Sequence, residues 1–151
     1  MSVYVTDSLV REAVAMVTPA IHATLKGAAK RRHGYLLISA LQEGWQEIEG
    51  FEFGDRPEWE LDYYKVAAAK DEISRRTGLT TREVQYMHPE LLEPGDTVYY
   101  GNAKTDTIIV SFSGVEPYFD ELFAKWVLAA ILALIQHKLE HQRDAAVDKY
   151  Y

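Results

Sequence analysis

Apolar side chains recur at helical spacing in three stretches of the chain, and they alternate with polar ones in the stretches between. The helical stretches predict a first helix over 7–29, bent at its proline, a second over 58–76 and a third over 117–141. Gly78 is a helix stop, and Pro117 suits a first helical residue because it needs no N–H donor there. Three helices with apolar faces require a common partner layer.

Strand-like runs supply that layer in two pairs. The first pair, 35–41 and 46–53, surrounds a loop that contains a glycine. The second pair, 97–101 and 107–113, surrounds the polar residues 102–106. Because hairpins pair their strands antiparallel, the sequence predicts an α+β fold with a central antiparallel sheet of about four to five strands flanked by helices, in the order α-ββ-α-ββ-α.

The length suits one domain over 1–151, and we expect the polar segment 142–151 to be a frayed tail. The formal net charge of -7 disfavours nucleic acid and anionic membranes as partners. The chain has no cysteine, which excludes thiolate metal sites and cysteine nucleophiles. The longest uncharged apolar run, 126–135, is far shorter than the ~20 residues of a membrane span. With no leader-like N-terminus, we expect a soluble cytoplasmic protein without a membrane partner.

The predicted last helix is apolar around its whole circumference, at Trp126, Val127, Leu128, Ile131, Leu132, Leu134 and Ile135. A helix of this kind is buried on all sides. One sheet covers only one side of a helix, so either the first helix or a second subunit must cover the remaining sides. We therefore expect a homo-oligomer that associates through the helix 117–141.

The junction between the last strand and the last helix is the leading candidate site. Ser113 and Gly114 form its turn, where backbone N–H groups gather beside the sheet and favour a small ligand. Asp120 is a candidate catalytic acid or base there. The alternative is structural, because Glu116, Asp120 and Glu121 also stabilise the positive end of a helix.

Aromatic residues at loops and junctions extend this candidate site. Trp45, Tyr100 and Tyr118 are the ligand-binding candidates, since such positions present side chains outward. His137 and His141 are four residues apart on one helix face, the spacing of two metal ligands, but a third ligand is missing and their neighbours are solvated types. The sequence therefore assigns no metal, and the two histidines remain candidates only.

Residues 70–88 suggest a competing function. The segment resembles a helix-turn-helix, with Gly78 at the turn and Arg82 and Gln85 on a potential recognition helix. Lys70, Arg75, Arg76 and Arg82 make it locally basic, although the whole chain is acidic. A transcriptional regulator that binds DNA is thus one alternative, and a glycine-terminated helix explains the same residues without any DNA.

The run from Ser113 to Glu121, Ser-Gly-Val-Glu-Pro-Tyr-Phe-Asp-Glu, resembles the Ser-Gly-x-x-Pro-x-x-Asp-Glu signature of the haem-binding and haem-degrading family. That family includes accessory proteins of glycolate-utilisation operons. Ala67 to Lys70 is similar to its Ala-Lys-Ala stretch, whereas 42–45 and 93–96 lack its glycine-rich segments. The resemblance implies a profilin-like fold and makes haem a possible cofactor, and it transfers no iron ligand to any residue.

Three hypotheses follow. The first is an oligomeric ligand-binding or accessory protein with a pocket near 113–121. The second is the DNA-binding regulator, and the third is an enzyme that acts on a small metabolite through Asp120. The sequence shows no nucleophile–base–orienter set, phosphate loop or zinc signature, so catalysis ranks below binding.

Overall fold

Four helices, four strands and one 3₁₀ turn follow one another in residues 4–54 and 62–148, the part of the chain that the computed structural model describes. Side chains are described as far as residue 144. The elements are α1 (Asp7–Lys26), β1 (Gly34–Leu41), β2 (Trp45–Phe53), α2 (Tyr63–Thr77), α3 (Thr81–Met87), the 3₁₀ turn (Pro89–Leu91), β3 (Asn102–Lys104), β4 (Ile108–Ser113) and α4 (Pro117–Asp148).

The four strands form one sheet in the order β2-β1-β4-β3, and each neighbouring pair is antiparallel. Helices α1 and α4 pack against each other on one side, and α2 packs against β1 and β4 on the other side. The predicted α+β class and antiparallel sheet are therefore confirmed. The element order differs from the prediction by the extra helix α3 between α2 and β3.

The two faces of the sheet bury different types of side chain. On β4, Ile108, Val110 and Phe112 belong to the apolar core with α1 and α4. The alternate residues of a strand point to the opposite face, so Ser111 and Ser113 face α2. Ser39 of β1 is also fully buried. The α2 side of the domain thus carries buried polar groups that need partners, and the candidate site forms at one end of it.

The first helix ends earlier than predicted. It is capped by the Thr6 side chain, continues through Pro19 and stops at Lys26 with Gly27 as its C-cap. The chain leaves the helix at this glycine, so the basic residues 30–32 lie in a loop beyond the helix. The first part of the predicted second helix, 58–61, lies outside the described residues, and α2 begins at Tyr63.

The third strand is displaced from its predicted position. The prediction placed it at 97–101, whereas the structure pairs Asn102–Lys104 with β4. Thr105 closes a tighter turn than expected, because its hydroxyl accepts hydrogen bonds from the backbone N–H groups of Thr107 and Ile108 at 3.2 and 3.1 Å. Val98 and Tyr99 have high strand propensity but are exposed, so tertiary context overrides that propensity here.

The last helix is longer than predicted and continues to Asp148, through most of the segment that we expected to be frayed. Phe123, Val127 and Ile131 are fully buried in the core. Helix α1 packs against α4, so much of the apolar circumference of α4 is covered within one chain. Across the described residues, no helix combines the length and the apolarity that crossing a membrane requires.

Candidate functional site

The site begins where β4 turns into α4. Gly114 occupies a φ of +134°, which favours glycine. A side chain at this position would overlap the carbonyl oxygen of His33 and would lie 2.6 Å from the Cα of Gly34. The loop after α1 therefore touches the backbone of the junction, and both segments border the same space.

A buried ion pair forms the floor of this space. The Nζ of Lys70 on α2 donates to Asp120 Oδ2 at 2.9 Å and to the carbonyl oxygen of Phe112 at 2.6 Å. The exposed fractions of the two side chains are 0% and 3%. Asp120 Oδ1 accepts from the backbone N–H of Val115 at 3.2 Å. The pair thus connects α2, the end of β4 and the start of α4.

Burial disfavours the charged forms of both Lys70 and Asp120. Desolvation lowers the pKa of Lys70, although the nearby Asp120 carboxylate opposes that shift. Desolvation also raises the pKa of Asp120 to about 6, against the opposing effect of Lys70. Each group is held in its charged form mainly by its partner. Both oxygens of Asp120 already accept hydrogen bonds, so the geometry gives this carboxylate a structural role in the junction.

Above the pair lies an open cavity of about 230 Å³. Its walls come from the loop after α1, from α2, from the segment before β3 and from the β4–α4 junction. Its lining residues are Lys30, Arg31, Tyr63, Val66, Lys70, Tyr99, Ser113, Gly114, Val115, Glu116, Pro117 and Asp120. Apolar and aromatic walls with a few polar groups are typical of a small-molecule site.

Two hydrogen bonds brace the cavity walls. The backbone N–H of Lys30 donates to Glu116 Oε1 at 2.9 Å, which joins the loop after α1 to the start of α4. The Ser113 hydroxyl donates to the carbonyl oxygen of Tyr63, which joins β4 to the start of α2. The walls are therefore fixed relative to one another before any ligand arrives, which lowers the entropy cost of binding.

Three of the predicted site residues come together in this cavity: Ser113, Gly114 and Asp120. The three predicted aromatic residues do not line it. Trp45 lies at the start of β2, with the Arg75 guanidinium 5.9 Å from its ring centroid. Tyr100 contacts the ring of Tyr86 at 5.7 Å, and Tyr118 is exposed on the first turn of α4. Tyr63 and Tyr99 supply the aromatic walls instead.

His137 and His141 lie on the exposed C-terminal half of α4, with ring centroids 6.2 Å apart. In the part of the chain that the structure describes, no three His, Cys, Asp or Glu residues are grouped to hold a metal ion. The pair of histidines therefore lacks the third ligand that a tetrahedral or catalytic site requires.

The helix-turn-helix-like segment corresponds to α2 and α3, joined by Gly78 in a left-handed conformation. Each of its basic residues contacts a carboxylate. Lys70 is buried against Asp120, and the other pairs are Arg75 with Asp71, Arg76 with Asp96 and Arg82 with Glu121. Gln85 donates to the carbonyl oxygen of Thr97 at 3.5 Å. A surface neutralised in this way offers little attraction to phosphates, so the structure lends no support to DNA binding.

A second buried carboxylate lies further along α2. Arg75 Nε is 2.7 Å from Asp71 Oδ2, and Arg75 Nη2 donates to the Ser39 hydroxyl at 2.9 Å. Desolvation raises the pKa of Asp71 to about 6, against the opposing effect of Arg75, while Glu47 and Glu72 raise it further. Near neutral pH, Asp71 is therefore ionised in an environment that disfavours its negative charge.

Asp71→Asn tests that energetic conflict. A carboxyl whose pKa is raised by folding stabilises the protein at low pH, and this contribution is lost as the pH rises through about 6. Asp71→Asn has no carboxyl to ionise at this position and so avoids this loss. From pH 4 to pH 7, the difference in unfolding free energy between the variant and wild type should therefore shift by about 3 kcal/mol in favour of the variant. Urea denaturation at several pH values measures the difference. Asp106→Asn, the same change at an exposed aspartate between β3 and β4, should give curves parallel to wild type.

Lys70 is the functional-site residue that sequence reasoning missed as a partner of Asp120. Tyr63, Ala67, Lys70 and Ser74 are all buried on one face of α2. A lysine on the apolar face of an amphipathic helix requires a buried acid or carbonyl as its partner. The spacing that places Lys70 on the buried face of α2 was the signal in the sequence for a buried partner. It does not reveal which acid that partner is.

Comparison of the chain with protein-family models, with curated proteins and with solved structures finds no match. The function must therefore be argued from the geometry of the site.

Haem fits the cavity poorly. Its volume of about 230 Å³ lies below the ~300–1,000 Å³ of pockets for drug-sized ligands, and haem is larger than most of these. The described residues that line it include no histidine, methionine or cysteine, so tyrosine, at Tyr63 and Tyr99, is the one type of haem iron ligand among them. The arrangement suits a smaller organic molecule, held by apolar walls and oriented by charges at the rim.

Proposed function

We propose that this protein is a ligand-binding or accessory protein that holds a small organic molecule in the cavity between β4, α4 and α2. The single observation that supports this most strongly is the cavity itself, with braced walls and an apolar lining over a charged floor. It coincides with the junction that the sequence indicated. The similarity of Ser113 to Glu121 to the haem-binding family supports a profilin-like relationship, which remains part of the proposal.

Binding is favoured over catalysis because both oxygens of Asp120, a carboxylate on the cavity floor, already accept hydrogen bonds. A general acid or base must reach the proton that it transfers. Asp120 already accepts from Lys70 and from the backbone of Val115. The proposed role therefore requires Asp120 to maintain the shape of the cavity and requires no chemical step.

Val66→Trp is designed to test the cavity. Val66 lines the cavity from α2, and an indole at this position should fill it and abolish fragment binding by the protein. Ligand-observed NMR with a fragment library measures binding to wild type and variant. Val98→Trp is the matched control, since Val98 is exposed and does not line the cavity.

The expected result is fragment binding that Val66→Trp loses and Val98→Trp retains, with folding of both variants verified by circular dichroism. Equal binding by the two variants would contradict the proposal. A separate titration with haem, followed at the Soret band, decides whether the cavity opens for that ligand. We expect no saturable Soret shift at micromolar protein.

We also propose that the protein self-associates through α4, although the structure leaves less of this helix exposed for such a contact than the sequence suggested. Leu128 and Ile131 are buried inside one chain, whereas Leu132 is 41% exposed and Trp126 is partly buried. A stripe of this kind supports a weak or moderate interface. The native mass of the wild type over a range of concentrations tests it, and a monomer throughout would remove this part alone.

A further inference from the structure

The cavity wall contains a carboxylate oxygen that lacks a hydrogen-bond partner. Oε1 of Glu116 accepts from the backbone N–H of Lys30 at 2.9 Å. Oε2 of the same side chain is buried, and among the described residues no group donates to it. A polar atom buried without a partner is costly, and in native proteins it calls for a specific explanation. The contact with the loop after α1 does not supply one, because Oε1 alone makes it.

The position of Glu116 at the cavity supplies the explanation. Glu116 lines the cavity together with Val66, Tyr99 and Val115. An ionised carboxylate accepts hydrogen bonds and donates none. A molecule that enters the cavity lies beside this side chain, so a donor on that molecule would provide the hydrogen bond that Oε2 lacks.

The charges beside Glu116 define the charge of that molecule. Lys70 and Asp120 compensate each other on the floor. Desolvation raises the pKa of Asp120, and the negative charge of Glu116 adds to this effect, so its field reaches the floor and repels an anion. The Lys30 side chain lines the same cavity, and its ammonium group disfavours a cation. A neutral donor avoids both penalties.

We infer that the ligand is a small neutral alcohol with a compact apolar body. Its hydroxyl group would donate to Glu116 Oε2, and its apolar part would contact Val66, Tyr99 and Val115. A hydroxyl group is a small neutral donor, which suits a cavity of about 230 Å³. This inference rests on the proposed binding function and narrows it to one class of ligand.

Two probes of nearly identical shape test the donor. Cyclohexanol carries a hydroxyl group where cyclohexanone carries a carbonyl oxygen, so only the alcohol can donate to Glu116. Both are titrated into wild-type protein and followed by ligand-observed NMR. We expect the alcohol to bind about tenfold more tightly, because the ketone leaves Oε2 without a partner.

Two charged probes with the same ring test the neutrality of the ligand. Cyclohexylamine can also donate to Glu116 but brings a positive charge to the wall that includes Lys30. Cyclohexanecarboxylate brings a negative charge to Glu116. We expect each of them to bind at least about threefold more weakly than cyclohexanol.

Glu116→Gln then locates the hydrogen bond. The glutamine oxygen can still accept from the backbone N–H of Lys30, which places the amide NH₂ group where Oε2 lies. This group donates to an alcohol and to a ketone alike, so the preference for cyclohexanol should fall from about tenfold to within about twofold. Glu12→Gln is the matched control, since Glu12 is exposed on α1 and does not line the cavity. It should keep the preference of wild type.

The outcomes separate this inference from the function on which it rests. Equal affinity of wild type for cyclohexanol and cyclohexanone overturns the alcohol and would assign Oε2 to an ordered water. Tighter binding of a charged probe, or a preference that Glu116→Gln leaves unchanged, also overturns it, and all three results leave cavity binding intact.

Failure of all four probes overturns the alcohol as well, and the comparison of Val66→Trp with Val98→Trp then decides the binding function independently. If Glu116→Gln does not fold, the four probes on wild-type protein decide the inference on their own.

Discussion

Lys70→Met is expected to lower the free energy of unfolding by about 3–5 kcal/mol at pH 7, because it leaves the Asp120 carboxylate buried without its counter-charge. The change also removes the donor to the carbonyl oxygen of Phe112. Methionine has nearly the volume of the lysine stem, so the loss should reflect the charge and hydrogen bonds more than a cavity. Urea denaturation followed by tryptophan fluorescence measures it.

A double-mutant cycle isolates the pair. Asp120→Leu leaves the Lys70 ammonium group buried alone and should also be strongly destabilising. The combined variant removes both charges and is expected to be clearly more stable than the sum of the single losses predicts. Strict additivity would show that the two groups do not depend on each other.

The pH dependence gives the cycle a second readout. Burial already raises the pKa of Asp120 to about 6 with Lys70 present, and removal of Lys70 should raise it further. The Asp120 carboxyl can then become neutral in mild acid. The destabilisation by Lys70→Met should therefore be smaller at pH 5 than at pH 8.

The same pair limits how catalysis can be tested. Asp120→Asn leaves Lys70 without a charged partner, so lost activity in that variant would not separate a chemical role from a damaged fold. An assay for an enzyme at this site must therefore be combined with a stability measurement. The cavity-lining Val66, which makes no polar contact, is the safer position for functional variants.

Much of the fold was predictable because it depends on short-range patterns. The alternation of Ile108, Val110 and Phe112 with Ser111 indicated β4, and Gly78 indicated the end of α2. These signals arise from the geometry of one element, so a single sequence contains them. The strand β3 lacked such a signal, because its three residues are defined by pairing with β4 rather than by their own propensity.

The site was predictable only in part, for a related reason. The turn at Gly114 is local and visible in the sequence, and it located one wall of the cavity. The partnership of Lys70 with Asp120 joins residues 50 positions apart, and no periodicity indicates it. The sequence likewise predicts a first helix as far as residue 29, because it does not show that Gly27 terminates α1 before the basic loop at Lys30.

Gly114→Ala is expected to lower the free energy of unfolding by about 2–5 kcal/mol. A non-glycine residue at positive φ costs about 1–2 kcal/mol, and forced overpacking adds about 1–3 kcal/mol. The φ at this position is +134°, and the added methyl group would press on the backbone of His33 and Gly34. Backbone atoms cannot move aside as a flexible side chain can, so the loop after α1 would have to separate from the junction.

Gly44→Ala is the matched control for this change. Gly44 also has a positive φ, +93°, but a methyl group there would have no neighbouring atom within 4 Å. Its loss should be limited to the backbone strain of about 1–2 kcal/mol. Thermal and urea denaturation of the two variants compare them directly. Equal losses would show that the loop and the junction do not touch as closely as the structure indicates. A larger loss for Gly114→Ala, together with weaker fragment binding, would show that this contact also shapes the cavity.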